Sequence, residues 1–310
     1  MTRAAALDLQ GHRGARGLAP ENTLPAFARA LAIGVSTLEL DCGVTSDGVV
    51  VVSHNRALDP TITRGPDGEW LSDSPLISAL DAAMLARFDV GRIRPGSDYA
   101  RRFPAQIGMD GVRIPRLAEV FELAHRAGNR TVRFNIETKI DPDRPADTVD
   151  PEAFARFLIA IVRAHRVADR TIVQSFDWRT LKVVQAEAPE IATAYLTIQQ
   201  PGEDNIRAGD EGSPWTAGMR YRDHGSVPRM VKAAGGAIWS PYYRDLTAAL
   251  LDESHRLGLK VIAWTVNDRA ELDRLIGLGV DGIISDFPDR LREAADANGL
   301  PLPPPTPVEP

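Results

Sequence analysis

Eight β-rich segments, each ending in polar residues and most followed by an amphipathic helical stretch, limit this chain more than any other feature it carries. They are Leu7–Arg13, Thr37–Asp41, Val132–Lys139, Thr171–Phe176, Ala192–Thr197, Ala237–Pro241, Lys260–Val266 and Gly282–Asp286. Strands that alternate with helices imply parallel pairing through crossovers. Eight repeats favour closure into a (β/α)8 TIM barrel over a doubly wound open sheet. The open sheet would also want a Gly-x-Gly-x-x-Gly loop after the first strand, and none follows Leu7–Arg13.

The helical stretches carry their own signals. Leu24, Phe27, Ala28 and Leu31 form an i, i+3, i+4, i+7 stripe, with Pro25 suited to a first turn and Gly34 to an end. Asp268 with Glu271 three residues on is a capping-box pattern for a helix ending near Gly277 or Gly279. Two stretches break the alternation: about 55–115, and about 199–236. Loops of this length inside a compact domain are usually functional. The expected organisation is one barrel domain over 1–298, with an insertion at about 55–115 and long loops over the C-terminal mouth. Residues 299–310 are half proline and should form an extended, mobile tail.

With a formal net charge of −6 and no Lys/Arg block, neither nucleic acid nor an anionic membrane is an expected partner. No apolar run reaches the length of a membrane span, so stable membrane insertion is not expected. Met1–Gln10 meets Asp8 too early for a secretory signal, and the expected compartment is the cytoplasm. A mature form with its signal removed, periplasmic or secreted, is the alternative. The one cysteine, Cys42, excludes an internal disulfide and reads as a small buried filler facing away from Asp41.

Polar side chains at the C-terminal ends of barrel strands read as catalytic. The first strand ends in Gly11-His12-Arg13-Gly14, the second in Glu39-Leu40-Asp41, the third in Asn135-Ile136-Glu137-Thr138-Lys139. Glu39 and Asp41 are two apart and share a face. Two buried carboxylates repel unless a cation sits between them. Glu137 adds a third from the next strand, and three carboxylates with open positions suit one divalent cation, Ca²⁺ or Mg²⁺. Val44–Val52 reads as a hairpin on a two-residue Asp47-Gly48 turn, which places His54 opposite Asp41. His12 and His54 then form an acid–base pair beside the metal site, and Arg13 and Lys139 supply positive charge for a phosphate. On spacing, Lys139 is equally suited to a salt bridge with Glu137. Trp264 offers a core residue or an apolar face at the barrel mouth for a substrate's carbon backbone. His125, His165 and His255 lie on helices and read as solvated; His224 carries no assignment.

These motifs, together with Pro20-Glu21-Asn22-Thr23, Ser53-His54, Gln174-Ser175-Phe176, Trp264-Thr265-Val266-Asn267 and Asp281-Gly282-Ile283-Ile284-Ser285-Asp286, resemble the glycerophosphodiester phosphodiesterase family in order from Leu7 to about Pro288. The resemblance implies a TIM barrel that hydrolyses glycerophosphodiesters to glycerol 3-phosphate and an alcohol with a divalent cation. It implies His12 and His54 as the acid–base pair, Glu39, Asp41 and Glu137 as ligands, and Arg13 and Lys139 near the phosphate. It makes Glu21, Asn22 and Thr23 largely a scaffold. Asn55 stands where the family usually has Asp, which removes a charge beside His54 and implies that His54 titrates lower. Arg64, Trp70, Tyr99 and Phe103 in the insertion are placed to contact a headgroup. The rivals are a lysophospholipase D-like activity on the same barrel, which needs an apolar groove, and a non-catalytic binding protein, which the presence of all five site residues disfavours. An amidohydrolase-type barrel needs a His-x-His pair, which the sequence lacks.

Overall fold

The computed structural model describes residues 6–209 and 211–310. Its barrel strands are β1 (Asp8–Gly11), β2 (Thr37–Val44), β3 (Arg133–Thr138), β4 (Thr171–Ser175), β5 (Ala192–Thr197), β6 (Ile238–Pro241), β7 (Lys260–Ala263) and β8 (Gly282–Ser285). All pairings are parallel between sequential neighbours, and β8 returns to β1 with Asp8 opposite Gly282. The sheet is therefore closed, and the expected (β/α)8 barrel is the fold. His12 and Arg13 lie just past the end of β1 rather than within it.

Eight helices follow the strands in turn: α1 (Leu24–Ile33), α2 (Leu117–Arg126), α3 (Pro151–Ala164), α4 (Trp178–Glu187), α5 (Val227–Ala233), α6 (Ala248–Arg256), α7 (Arg269–Leu278) and α8 (Pro288–Ala297). Local chemistry sets their ends. Thr23 Oγ1 accepts from the Ala26 N–H at the start of α1, and Gly34 closes it in the left-handed region at φ 89°. Asp268 caps α7 by accepting from Ala270 and Glu271 N–H, and Gly279 ends it. The expected capping box is half made, because Glu271 accepts from Arg274 Nε instead of reaching back.

Strand residues alternate between two environments. Leu9, Leu38, Leu40, Phe134, Ile136, Val173 and Ile283 point outward and are fully buried under the helices. Burial of each such side chain contributes about 1.5–3 kcal/mol. Cys42 joins this layer, as its parity predicts. Inside the barrel the lining divides. Ile172, Ala194, Ile238, Ile262 and Ile284 form an apolar cluster on one side, whereas Gln10, Thr37, Asn135 and Gln174 fill the other with buried polar groups.

Trp178, fully buried at the start of α4, packs edge-on against Tyr195 at 4.9 Å between ring centroids. Trp178→Ala is expected to cost about 3–5 kcal/mol through the cavity it leaves. Urea unfolding should show a lower midpoint, and an unchanged midpoint would contradict this packing.

Two expectations change on inspection of the chain path. The hairpin after β2 exists, with Val50–Val52 antiparallel to it, but its register is shifted by one: Cys42 lies opposite Val52, and the Ser53 N–H donates to the Asp41 carbonyl at 2.9 Å. Ser53, not His54, therefore stands across from Asp41. The cause is a three-residue turn, Ser46-Asp47-Gly48, with Gly48 left-handed at φ 78° and the Thr45 hydroxyl accepting from the Val49 N–H at 2.9 Å. His54 still reaches the mouth, one residue further on.

The tail differs as well. Residues 299–310 are extended, and they lie against the barrel. Leu300, Leu302 and Val308 pack on the core, the Thr306 N–H donates to the Leu31 carbonyl, and Arg292 Nη1 donates to the Gly34 and Pro303 carbonyls. Three apolar residues among the prolines supply the contact that a proline count does not reveal. The insertion, in turn, helps to form a small cluster of its own with Val51, Leu58, Ile77, Leu80 and Leu85.

Candidate active site

A cleft of about 390 Å³ opens at the C-terminal mouth of the barrel, within the usual range for a small-molecule site. It is lined by His12, Arg13, Glu39, His54, Glu137, Lys139 and Trp264. Asp41 sits just beneath it. His12, Arg13, Glu39, Asp41, His54, Glu137, Lys139 and Trp264 are thus brought to one place.

The carboxylates come together because β2 and β3 pair in register, with Asp41 directly opposite Glu137. Glu39, Asp41 and Glu137 are all buried, and each offers an oxygen within 4.8 Å of the others. Burial pushes Glu39 well above the usual carboxylate range, and Asp41 beside it adds to the effect. Burial likewise lifts Glu137 to about 7. Burial acts the same way on Asp41 but loses to the charges of Arg13, His54 and Lys139, which hold it far below that range. Asp41 Oδ2 is held by Asn22 Nδ2 at 2.9 Å, while Oδ1 is buried with no hydrogen-bond partner among the described residues. An orphaned carboxylate oxygen facing two more carboxylates fits a hard divalent cation, and the donor set is all oxygen.

The histidines are held alike. His12 Nδ1 lies 2.6 Å from Asp286 Oδ1. A carboxylate only accepts, so Nδ1 carries the proton and Nε2 is left free. Asp286 is fixed by both Arg16 contacts, at 2.7 and 3.0 Å, and by Asn267 Nδ2 at 2.7 Å. Burial and the Arg16 charge lower the His12 pKa to about 4, against the pull of Asp286. At His54 the partner is Asn55, whose Oδ1 lies 2.7 Å from Nδ1. Asn55 Nδ2 in turn donates to Asp59 at 3.1 Å. Asp59 thereby fixes which end of the Asn55 amide faces the ring, and the missing charge stands one residue contact behind. The His54 pKa is lowered too, first by burial and then by Arg13 and Lys139.

Arg13 donates its backbone N–H to Glu39 at 2.9 Å and its Nη1 to Glu21 at 2.8 Å, with Nε 3.1 Å from Asp41. Lys139 makes the expected salt bridge with Glu137 at 2.7 Å and also lines the cleft. Trp264 is anchored through Nε1 to the Ser240 carbonyl, with its ring 5.3 Å from that of Phe176. From the insertion, Tyr99 reaches this cleft, whereas Arg64, Trp70 and Phe103 line a separate recess. Glu21 and Asn22 exceed a scaffold role: one orients Arg13, the other clamps Asp41. Sequence reading assigned nothing to Arg16, Gln174, Asn267 or Asp286. For Asp286 a signal existed, since it is two residues past the inward-facing Ile284.

Three carboxylates, two histidines with free Nε2 atoms and two positive side chains meet at the barrel mouth, a set with the oxygen donors to hold a divalent cation and the charge to receive a phosphate ester. The model of the glycerophosphoryl diester phosphodiesterase family matches residues 12–290, and the chain belongs to that family. A glycerophosphodiester phosphodiesterase of Caldanaerobacter subterraneus is 29% identical over 280 residues, 90% of this chain and 94% of that protein. Human lysophospholipase D GDPD1 is 26% identical over 286 residues, 91% and 84% of the two chains. The crystal structure of a Silicibacter pomeroyi DSS-3 protein, provisionally described as a glycerophosphoryl diester phosphodiesterase, superposes with a TM-score of 0.84 at 36% identity, covering 96% of this chain and 95% of that one.

Proposed function

We propose that this protein hydrolyses glycerophosphodiesters to glycerol 3-phosphate and an alcohol. Glu39, Asp41 and Glu137 hold one divalent cation, Ca²⁺ or Mg²⁺, and His12 and His54 act as the acid–base pair. The observation that carries this reading is the buried Asp41 Oδ1, which has no hydrogen-bond partner among the described residues and only Lys139 Nζ at 3.8 Å, within a carboxylate cluster flanked by two histidines whose Nδ1 atoms are both tied back. The cation, when bound, neutralises charge on the phosphate oxygens. One histidine, neutral with Nε2 free, takes the proton of the attacking oxygen; the other enters as imidazolium, protonated at Nε2 as well as Nδ1, and delivers the Nε2 proton to the leaving oxygen as its bond to phosphorus breaks. Arg13 and Lys139 draw the phosphate to the cleft. Trp264 and Phe176 give the glycerol carbons an apolar wall.

The test is release of glycerol 3-phosphate from glycerophosphocholine. EDTA should abolish it, and Ca²⁺ or Mg²⁺ should restore it. No release with either cation would overturn this substrate assignment. A lysophospholipase D-like activity is the second reading, supported by the human relative of that name. Choline release from lysophosphatidylcholine exceeding that from glycerophosphocholine would favour it.

A further inference from the structure

We propose that Asp8, at the end of the barrel away from the cleft, sets the direction of a chain of side-chain amides that presents an N–H to Glu39 and so positions it as a cation ligand. This rests on the reading of Glu39 as a ligand given above.

Asp8 Oδ1 accepts from Thr37 Oγ1 at 2.7 Å and pairs with Arg133 Nη2 at 2.8 Å. A carboxylate held this way only accepts. Its Oδ2 must therefore face a donor, and Gln10 Nε2 lies there at 2.9 Å. Gln10 then turns Oε1 toward Asn135, which donates Nδ2 at 2.8 Å. The same Asn135 Nδ2 donates to Gln174 Oε1 at 3.0 Å. With its oxygen committed, Gln174 presents Nε2 to Glu39 Oε1 at 2.8 Å. The Arg13 backbone N–H meets the other Glu39 oxygen at 2.9 Å.

Amide orientation is settled by such networks rather than by electron count, and here the network has one consistent direction. No member can flip alone without setting acceptor against acceptor or donor against donor. Gln10 and Asn135 are fully buried and Gln174 is nearly so, where an unmet polar group costs about 1–3 kcal/mol. Asn135 Oδ1, the atom left over because both neighbours require the N–H end, is buried without a hydrogen-bond partner among the described residues.

Two variants test the proposal by calorimetric titration with Ca²⁺ and Mg²⁺. Asp8→Asn replaces an obligate acceptor with a group that also donates, so the chain loses its single direction. Gln174→Met removes the last N–H and keeps the volume. Contacts behind a metal ligand typically change affinity by about 10- to 100-fold, and Kd should rise about tenfold in the first variant and toward 100-fold in the second. Thermal unfolding without cation checks that each folds. If Asp8→Asn does not fold, Gln10→Met cuts the same chain one residue on. Wild-type Kd in Asp8→Asn, whatever Gln174→Met does, overturns the role of Asp8. Failure of the unaltered protein to bind either cation overturns the ligand reading and the relay with it.

Discussion

Replacing His12 by alanine is expected to lower phosphodiester hydrolysis by about 10²- to 10⁴-fold, the range for losing a general acid or base. The fold should survive, because the partner left behind is not stranded. Asp286 keeps both Arg16 contacts and the Asn267 amide when the imidazole is gone. Cation affinity should stay close to that of the unaltered protein, since His12 Nε2 stands 3.9 Å from the nearest Glu39 oxygen and the carboxylate cluster is complete without it. His54→Ala should fall in the same range. Turnover measured beside a cation titration and a melting curve separates lost chemistry from lost structure. Unaltered rates in both variants would remove the acid–base assignment.

The second large effect is on the cation itself. Glu137→Gln keeps the shape of the side chain and withdraws its charge. Groups that only touch a ligand already change metal affinity by about 10- to 100-fold, so removing a ligand should exceed about 100-fold. Lys139 would face a neutral acceptor in place of its charged 2.7 Å partner, leaving two positive side chains near a site with two carboxylates. The expected result is a rise in both calorimetric Kd and the cation concentration for half-maximal rate. A titration curve that superposes on that of the unaltered protein would take Glu137 out of the ligand set.

Most of the site was legible because strand parity and strand order act locally. Glu39 and Asp41 share a face by spacing alone, and β3 follows β2 around any barrel. His54 was reached by a register that proved one residue off, since a Thr45 side-chain bond lengthens the turn and spacing does not report it. The contacts behind these residues were harder to see. His12 and Asp286 are 274 residues apart and meet only when β8 closes on β1. Gln174 reaches Glu39 across the barrel interior, over 135 residues. Such pairings follow from closure, and no local pattern encodes which polar residue faces which. The quoted motifs contained Gln174 and Asp286, but their tasks became readable only with the ring complete.

The tail shows what proline does for a seam. Residues 299–310 bridge the region where the first and last helices meet, through Thr306 to Leu31 and through Arg292 to Gly34 and Pro303. Each proline has φ fixed before folding begins, so the free ensemble of this strap is already narrow. Little conformational entropy is left to lose on docking, and a handful of contacts from Leu300, Leu302 and Val308 suffices to hold it. A glycine-rich strap of equal length and contact would stay loose. Stiffness in the unfolded chain, rather than strength of attachment, keeps the outer ring laced.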